Sequence, residues 1–322
     1  MRLVPLLIGA LLLAGCSAPA AAPTTATRTV DVGSGPVEVP VAPKRIAVLS
    51  GSLAGTFFAL DAPVAGTDTS VLGLRPDASG FPSTWAAAAV RQGTVVLSKG
   101  GEGMNIEAIA ALRPDLIVGG GQGITAVQAE QVLDKLKAIA PTVLVPRTVN
   151  SWERQLELIA DVVGMADKVP GLLDAYRARV AEVRAAITPP GGPVAILYAS
   201  NSGNGKLYMV PETAAYPRLL QELGFTLDPV VQKAGTPRLV STGDAFEVSP
   251  ELLAGVADAP NLQVIDIGGP KLDQLRTQPV IGRLPAVSSR NVVELPPFVY
   301  RADYPAVLLT LDELEKAYRR AA

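Results

Sequence analysis

The six residues Thr188-Pro189-Pro190-Gly191-Gly192-Pro193 divide the chain into two halves that read alike. Proline lacks the backbone N–H and glycine carries the greatest backbone entropy, so a helix entering this stretch ends in it. The segment before it, residues 169–187, has helical spacing, with Leu172, Tyr176, Val180, Val183 and Ile187 along one stripe. At 1.5 Å per residue such a helix spans roughly 28 Å. A stiff rod with a hard stop therefore sits between two folding units.

Both units alternate strands and helices. Upstream, residues 29–39 alternate around Gly33-Ser34-Gly35 and predict a hairpin, and Arg45-Ile46-Ala47-Val48-Leu49 predicts a short buried strand. Helices follow at 53–60 and 106–112, then a strand at 115–118 ending in Gly119-Gly120-Gly121. Val127, Val132, Leu136 and Ile139 predict one helix over 125–140, with a strand at 142–145 and a helix over 152–163 that closes at Gly164. Downstream, a strand at 194–198 resembles the one at Arg45. Helices at 217–223, 250–253 and 305–319 and strands at 264–267 and 291–295 complete the second half. Strands alternating with helices imply a parallel sheet covered on both faces, here twice.

The chain's 322 residues are enough for two α/β lobes. Thirty acidic against twenty-eight basic residues, both signs scattered, leave no polybasic surface for nucleic acid. Histidine is absent, which removes the commonest general base near neutral pH and the commonest transition-metal ligand. Hydrolysis by a Ser-His-Asp triad and His-ligated haem are thereby excluded. No resident cofactor or metal is expected.

At the N-terminus, Arg2 precedes an apolar run over residues 3–13 that leads into Leu13-Ala14-Gly15-Cys16. The run is shorter than the roughly 20 residues that span a bilayer, and small residues before a cysteine fit cleavage at a lipidation site. Cys16 is the single cysteine of the chain, and acylation would consume a thiol otherwise exposed to oxidation. The expectation is a lipoprotein signal over 1–16 and a flexible Ala/Pro/Thr/Ser tether over 17–27, holding a folded part to the outer face of the membrane. A first lobe over 28–167, an inter-lobe helix over 168–188 and a second lobe over 189–322 complete the expected division.

The stretches Pro43-Lys44-Arg45-Ile46-Ala47-Val48-Leu49-Ser50, Asn105-Ile106-Glu107 running on to Pro114-Asp115-Leu116-Ile117, and Ile139-Ala140-Pro141 resemble the class III substrate-binding proteins of ABC importers. Leu284-Pro285-Ala286-Val287 and Asn291-Val292-Val293 match that family's late segment. The resemblance implies an α/β fold of two Rossmann-like lobes joined by a single long helix, with the ligand cleft between the lobes. It also implies a monomer that carries a ferric siderophore to an ABC permease dimer. Haem and cobalamin are the alternative cargoes within the family. A glutamate on each lobe pairs with permease arginines in these proteins, and the matching positions are Glu107 and Glu251, each just inside a helix start after Asn105 or Ser249. The other expectation for each is simple complementation of its helix dipole.

Ligands of such folds sit at the carboxyl ends of strands. In the first lobe the loops there hold Arg75, Trp85, Lys99 and Arg147; in the second they hold Tyr198, Lys206, Tyr208, Arg238, Tyr300 and Arg301. Cations and aromatic faces suit a multiply charged, flat ferric catecholate, whereas a neutral hydroxamate needs fewer cations. Trp152 is expected to pack at the start of its helix. The family's aromatic followed by glycines is replaced here by Phe298-Val299-Tyr300-Arg301. Gly119-Gly120-Gly121-Gln122-Gly123 lacks the Gly-Lys-Ser/Thr ending of a nucleotide loop and reads as a cleft loop. Two other functions stand beside the carrier: an envelope-acting enzyme using Asp244 and Glu247 as paired carboxylates, and a scaffold that keeps the fold without the cargo.

Overall fold

In the computed structural model, which describes residues 26–98, 103–199, 206–240 and 242–320, each half of the chain builds one five-stranded sheet. Strands β1 (Thr27–Asp31) and β2 (Pro36–Pro40) form the antiparallel hairpin expected around Gly33. Next come β3 (Ile46–Val48), α1 (Gly51–Ala59), β4 (Val64–Asp68), α2 (Ala86–Gln92), β5 (Val95–Ser98) and α3 (Ile106–Ala111). The first half continues with β6 (Leu116–Gly120), α4 (Ile124–Gln131), α5 (Leu133–Lys137) and β7 (Thr142–Val145). Five parallel strands lie in the order β5-β4-β3-β6-β7. Every residue of β3 and β6 is buried, because helices cover both faces.

Helices α6 (Trp152–Val163) and α7 (Val169–Ala186) follow. Ser151 caps α6 by accepting the N–H of Arg154, and Gly164 ends it in the left-handed conformation. The second sheet is built from β8 (Val194–Ala199), β9 (Leu207–Met209), α8 (Ala215–Glu222), α9 (Val230–Lys233), β10 (Phe246–Val248) and α10 (Pro250–Val256). The chain ends through β11 (Asn261–Ile265), α11 (Leu272–Arg276), α12 (Pro285–Ser288), β12 (Val292–Leu295) and α13 (Tyr304–Tyr318). The strand order β10-β9-β8-β11-β12 repeats that of the first sheet position for position. One element differs in direction: β9 runs antiparallel to both its neighbours.

One expected helix is two. The segment 125–140 breaks at Val132 (φ −115°, ψ 16°), which ends α4 and starts α5. Leu136 is fully buried, and the break turns it into the core beneath β6 and β7.

The long helix α7, about 27 Å at 1.5 Å per residue, does not stand alone. Helix α13 runs parallel beside it. Tyr304 Oη donates to the Leu172 carbonyl at 3.1 Å near their starts, Arg179 meets Asp312 at 2.7 Å midway, and the Thr188 N–H bonds the Tyr318 carbonyl at 2.9 Å near their ends. Trp152 of α6 packs edge-on against Tyr176 of α7, 4.6 Å between centroids, and against Tyr304 of α13 at 5.8 Å. The largest hydrophobic cluster consequently runs without interruption from Ile46 and Val48 through Trp152 and Tyr176 to Ile196 and Leu311. Two smaller clusters fill the outer face of each sheet. Among the described residues no helix is long and apolar enough to cross a membrane.

Candidate functional site

Parallel strands deliver their following helices amino-end first to one edge of a sheet. The two sheets turn those edges toward each other: the starts of α1, α4 and α6 reach one cleft through Ser52, Gln122 and Asn150, and the start of α8, which follows the antiparallel β9, joins them at Ala215. Backbone N–H groups at helix starts carry partial positive charge, so the cleft favours an anionic guest. Ser52 lines it, with its Oγ 2.9 Å from that of the buried Ser50, to which Thr125 donates at 3.3 Å. Thr56 donates to Gln155 at 3.0 Å behind them, which fixes α1 against α6.

The second lobe contributes a tyrosine cluster and one ion pair. Tyr300 lines the cleft; its Oη is 3.2 Å from that of Tyr198, and the Tyr198 ring stacks on Tyr208 with 5.0 Å between centroids. Burial pushes the Tyr198 phenol up to about 12 and that of Tyr300 higher still. Both are neutral at physiological pH, offering O–H donors and ring faces rather than a phenolate. Beside them Arg301 donates to Asp244 at 2.6 and 3.2 Å and to Thr242 at 3.0 Å, with its guanidinium 5.1 Å from the Tyr300 ring centre. Burial opposes the charge on Arg301, but the Asp244 carboxylate outweighs it and raises the pKa, so the cation persists in a site where its side chain is 20% exposed.

The residues singled out from sequence fall into distinct places. Tyr300 and Arg301 line the cleft, and Tyr198 and Tyr208 back them. Arg147 stands at the end of β7, with Nε 3.1 Å from Glu130 on α4. Lys206 pairs at 2.8 Å with Glu247 on the exposed β9–β10 edge, beside Tyr208, and does not line the cleft itself. Arg75 and Arg238 are exposed in the loops after β4 and α9, free of ion pairs with described residues. Trp85 lies outside the cleft: it is 3% exposed and stacks on Phe58 at 5.3 Å with Phe81 beside it, so its apolar bulk fills the first-lobe core. Lys99, Cys16 and the 201–205 turn lie outside the described residues.

Trp152 does double duty, packing as expected while one edge lines the cleft. Gln155, Asn150 and Tyr216 of the lining carried no sequence signal, being ordinary polar positions at helix starts until the sheets face each other. Asp244 and Glu247 are each committed to a cation, Arg301 and Lys206 respectively. Glu107 and Glu251 are both exposed at the second position of α3 and α10, the helices that follow the corresponding edge strands β5 and β10. They therefore occupy equivalent places on the two lobes.

Two α/β sheets joined through a long helix, with facing carboxyl edges and a shared cleft of helix starts, aromatics and a buried arginine, define a solute-binding protein of the two-lobed kind. The chain belongs to the periplasmic binding protein family, whose model matches residues 46–298. It is 29% identical over 326 residues to the ferric enterobactin-binding periplasmic protein FepB of Escherichia coli O6:H1 (strain CFT073), covering 99% of this chain and 100% of the relative. The fold superposes on holo-ViuP with a TM-score of 0.75 at 21% identity, over 91% of this chain and 95% of that one. The triscatecholate siderophore binding protein FeuA from Bacillus subtilis, complexed with ferri-bacillibactin, gives 0.66 at 18% identity, over 90% and 97%.

Proposed function

We propose that the protein is the lipid-anchored, extracytoplasmic binding component of an ABC importer, which captures a ferric siderophore in the inter-lobe cleft and delivers it to the permease. The observation that carries this reading is the joining of Tyr300 and Arg301 to the starts of four helices in one cleft, in a chain of this family. An intact anionic chelate is held there by dipoles, one guanidinium and aromatic faces, with Arg75 and Arg238 available at the loops for its outer charges. FepB, similar over its whole length, is a ferric enterobactin-binding protein, which supports the same cargo class. The protein binds and releases; it does no chemistry. Haem held by a tyrosinate is the weaker reading, since burial opposes ionisation of both Tyr198 and Tyr300.

Glu107 and Glu251 are proposed to meet permease arginines, and the tether ending at Cys16 to keep the carrier near them. Exposed pairs of this kind fix register and steer encounter more than they add affinity. The test is a fluorescence titration with ferric tris-catecholate, tris-hydroxamate and citrate complexes, haem and cobalamin. Trp152, which lines the cleft, is the reporter to expect rather than the buried Trp85. Saturable quenching by one ferric siderophore class at micromolar concentration or below supports the reading. A signal from haem alone, or from none of the panel, overturns it.

A further inference from the structure

The cleft has a second and roomier compartment. It adjoins the first through the shared residues Ser52, Gln122, Tyr300 and Arg301, but its outer walls are apolar: Leu72 from the turn after β4, Ile124 at the start of α4, and Phe298 before α13. Leu72 and Ile124 are 43% and 57% exposed, large aliphatic side chains left uncovered on concave walls. The compartment is built rather than loose. Gly73, at φ 73°, lets the first-lobe turn press on the second lobe so closely that a Cβ there would lie 2.6 Å from Pro297 Cβ and 2.8 Å from Ile267 Cα. The two apolar walls are thus held at fixed separation by a direct contact between lobes.

Its volume is 190 Å³. An apolar cavity of about 150 Å³ admits benzene, so there is room for a six-carbon group, although here the mouth is open and Ser52, Gln122, Thr125 and Arg301 share the lining. Near the neck between the compartments, Ser70 Oγ and Gln122 Nε2 are buried with no partner among the described residues, which suits a polar linkage passing from one compartment to the other. We infer that the ligand is amphiphilic: its metal-binding head occupies the tyrosine and arginine compartment, while an apolar appendage, a short acyl or alkyl chain, fills the compartment walled by Leu72, Ile124 and Phe298. This deepens the chelate-carrier reading and rests on it.

The full chain is titrated with two matched pairs: the N-acetyl and N-hexanoyl derivatives of ferrioxamine B, which carry the same charge, and a ferric tris(catecholamide) with and without a hexyl arm. Each fully buried methylene strengthens binding about fourfold, so in the pair that binds, the tailed member is expected to bind at least tenfold tighter. The double variant Leu72→Ser/Ile124→Ser should abolish that advantage and leave the bare chelate's affinity unchanged. Ile124→Trp, which fills the compartment instead of opening it, should do the same, and both sites are exposed enough to leave folding intact. Equal affinity for tailed and bare members, or an advantage that survives both variants, overturns the appendage site while the carrier reading stands. No binding by any of the four overturns the appendage site, and the carrier reading is then decided by the citrate complex.

Discussion

Gly55, in the middle of α1, faces the carboxylate of Asp303 so closely that a Cβ at Gly55 would lie 2.5 Å from Asp303 Cγ. Asp303 caps α13 by accepting the Ala306 N–H at 3.0 Å, so the cap of the last helix is seated against the first helix of the opposite lobe. A glycine inside a helix destabilises it by roughly 0.5–1 kcal/mol relative to alanine. Its presence here is explained by the carboxylate.

Gly55→Ala should therefore destabilise the protein despite alanine's better helix propensity. Overpacking against a fully buried group outweighs the propensity gain and leaves a net loss of about 1–3 kcal/mol. Chemical denaturation at neutral pH measures it. An alanine variant as stable as the parent would show that α1 and α13 separate easily.

Asp303 also makes stability depend on pH. Burial raises its pKa from 3.8 to about 7, with the N–H groups of Ala306 and Gly55 opposing, and no cation is among its partners. Between these values the folded state holds a proton that the unfolded chain has released, so this group's contribution is fully present below about pH 4 and lost as pH rises to about 7. The full swing is on the order of 4 kcal/mol. Asp303→Asn keeps a capping oxygen without the titration. The stability difference between parent and variant, followed by denaturation from pH 4.5 to 8, should move against the parent as pH rises; a flat difference would mean the carboxyl is ionised throughout.

Removing Arg301 should damage folding and binding by separable routes. Arg301→Met leaves Asp244, 6% exposed, as an unpaired buried carboxylate, and breaking such a pair typically destabilises by about 3–5 kcal/mol. Asp244→Asn/Arg301→Met should recover most of that stability and none of the lost chelate affinity, which is expected to fall at least tenfold in both variants. Denaturation and titration of the three proteins side by side distinguish a ligand contact from a structural pair.

Glu107→Ala/Glu251→Ala should leave chelate affinity and folding stability within twofold and about 1 kcal/mol of the parent, since both side chains are exposed at helix starts. Uptake of the iron-55 chelate by cells carrying the cognate permease should fall severalfold or more. Undiminished uptake would assign both residues to their helices alone.

Local signals were legible where chain-neighbour physics decides the outcome. Helix α6 was bounded correctly at 152–163, with Gly164 marking its end, and α7 to within one residue by the proline run. Strands β4 and β5 were missed because Gly66 interrupts one and the other is a four-residue sheet edge. The three-residue β9 and β10 carry too few positions to show alternation. In the site, Tyr300 and Arg301 were visible as the polar end of the loop after the last strand. The partners of the proposed cations were not: Asp244 lies 57 positions from Arg301 and Glu247 41 from Lys206. Such pairings are decided by how the sheet is assembled, as is the burial of Trp85 between Phe58 and Phe81.

The parallel alignment of α7 and α13 bears on how cargo leaves. A lone rod between two bodies resists bending yet still lets them swivel about its axis; a splint lashed alongside at both ends and the middle forbids the swivel as well. The shared apolar interior behind the splints adds to that resistance. On the carrier reading proposed above, the force for unloading would come from the rim, where the permease is proposed to engage both lobes.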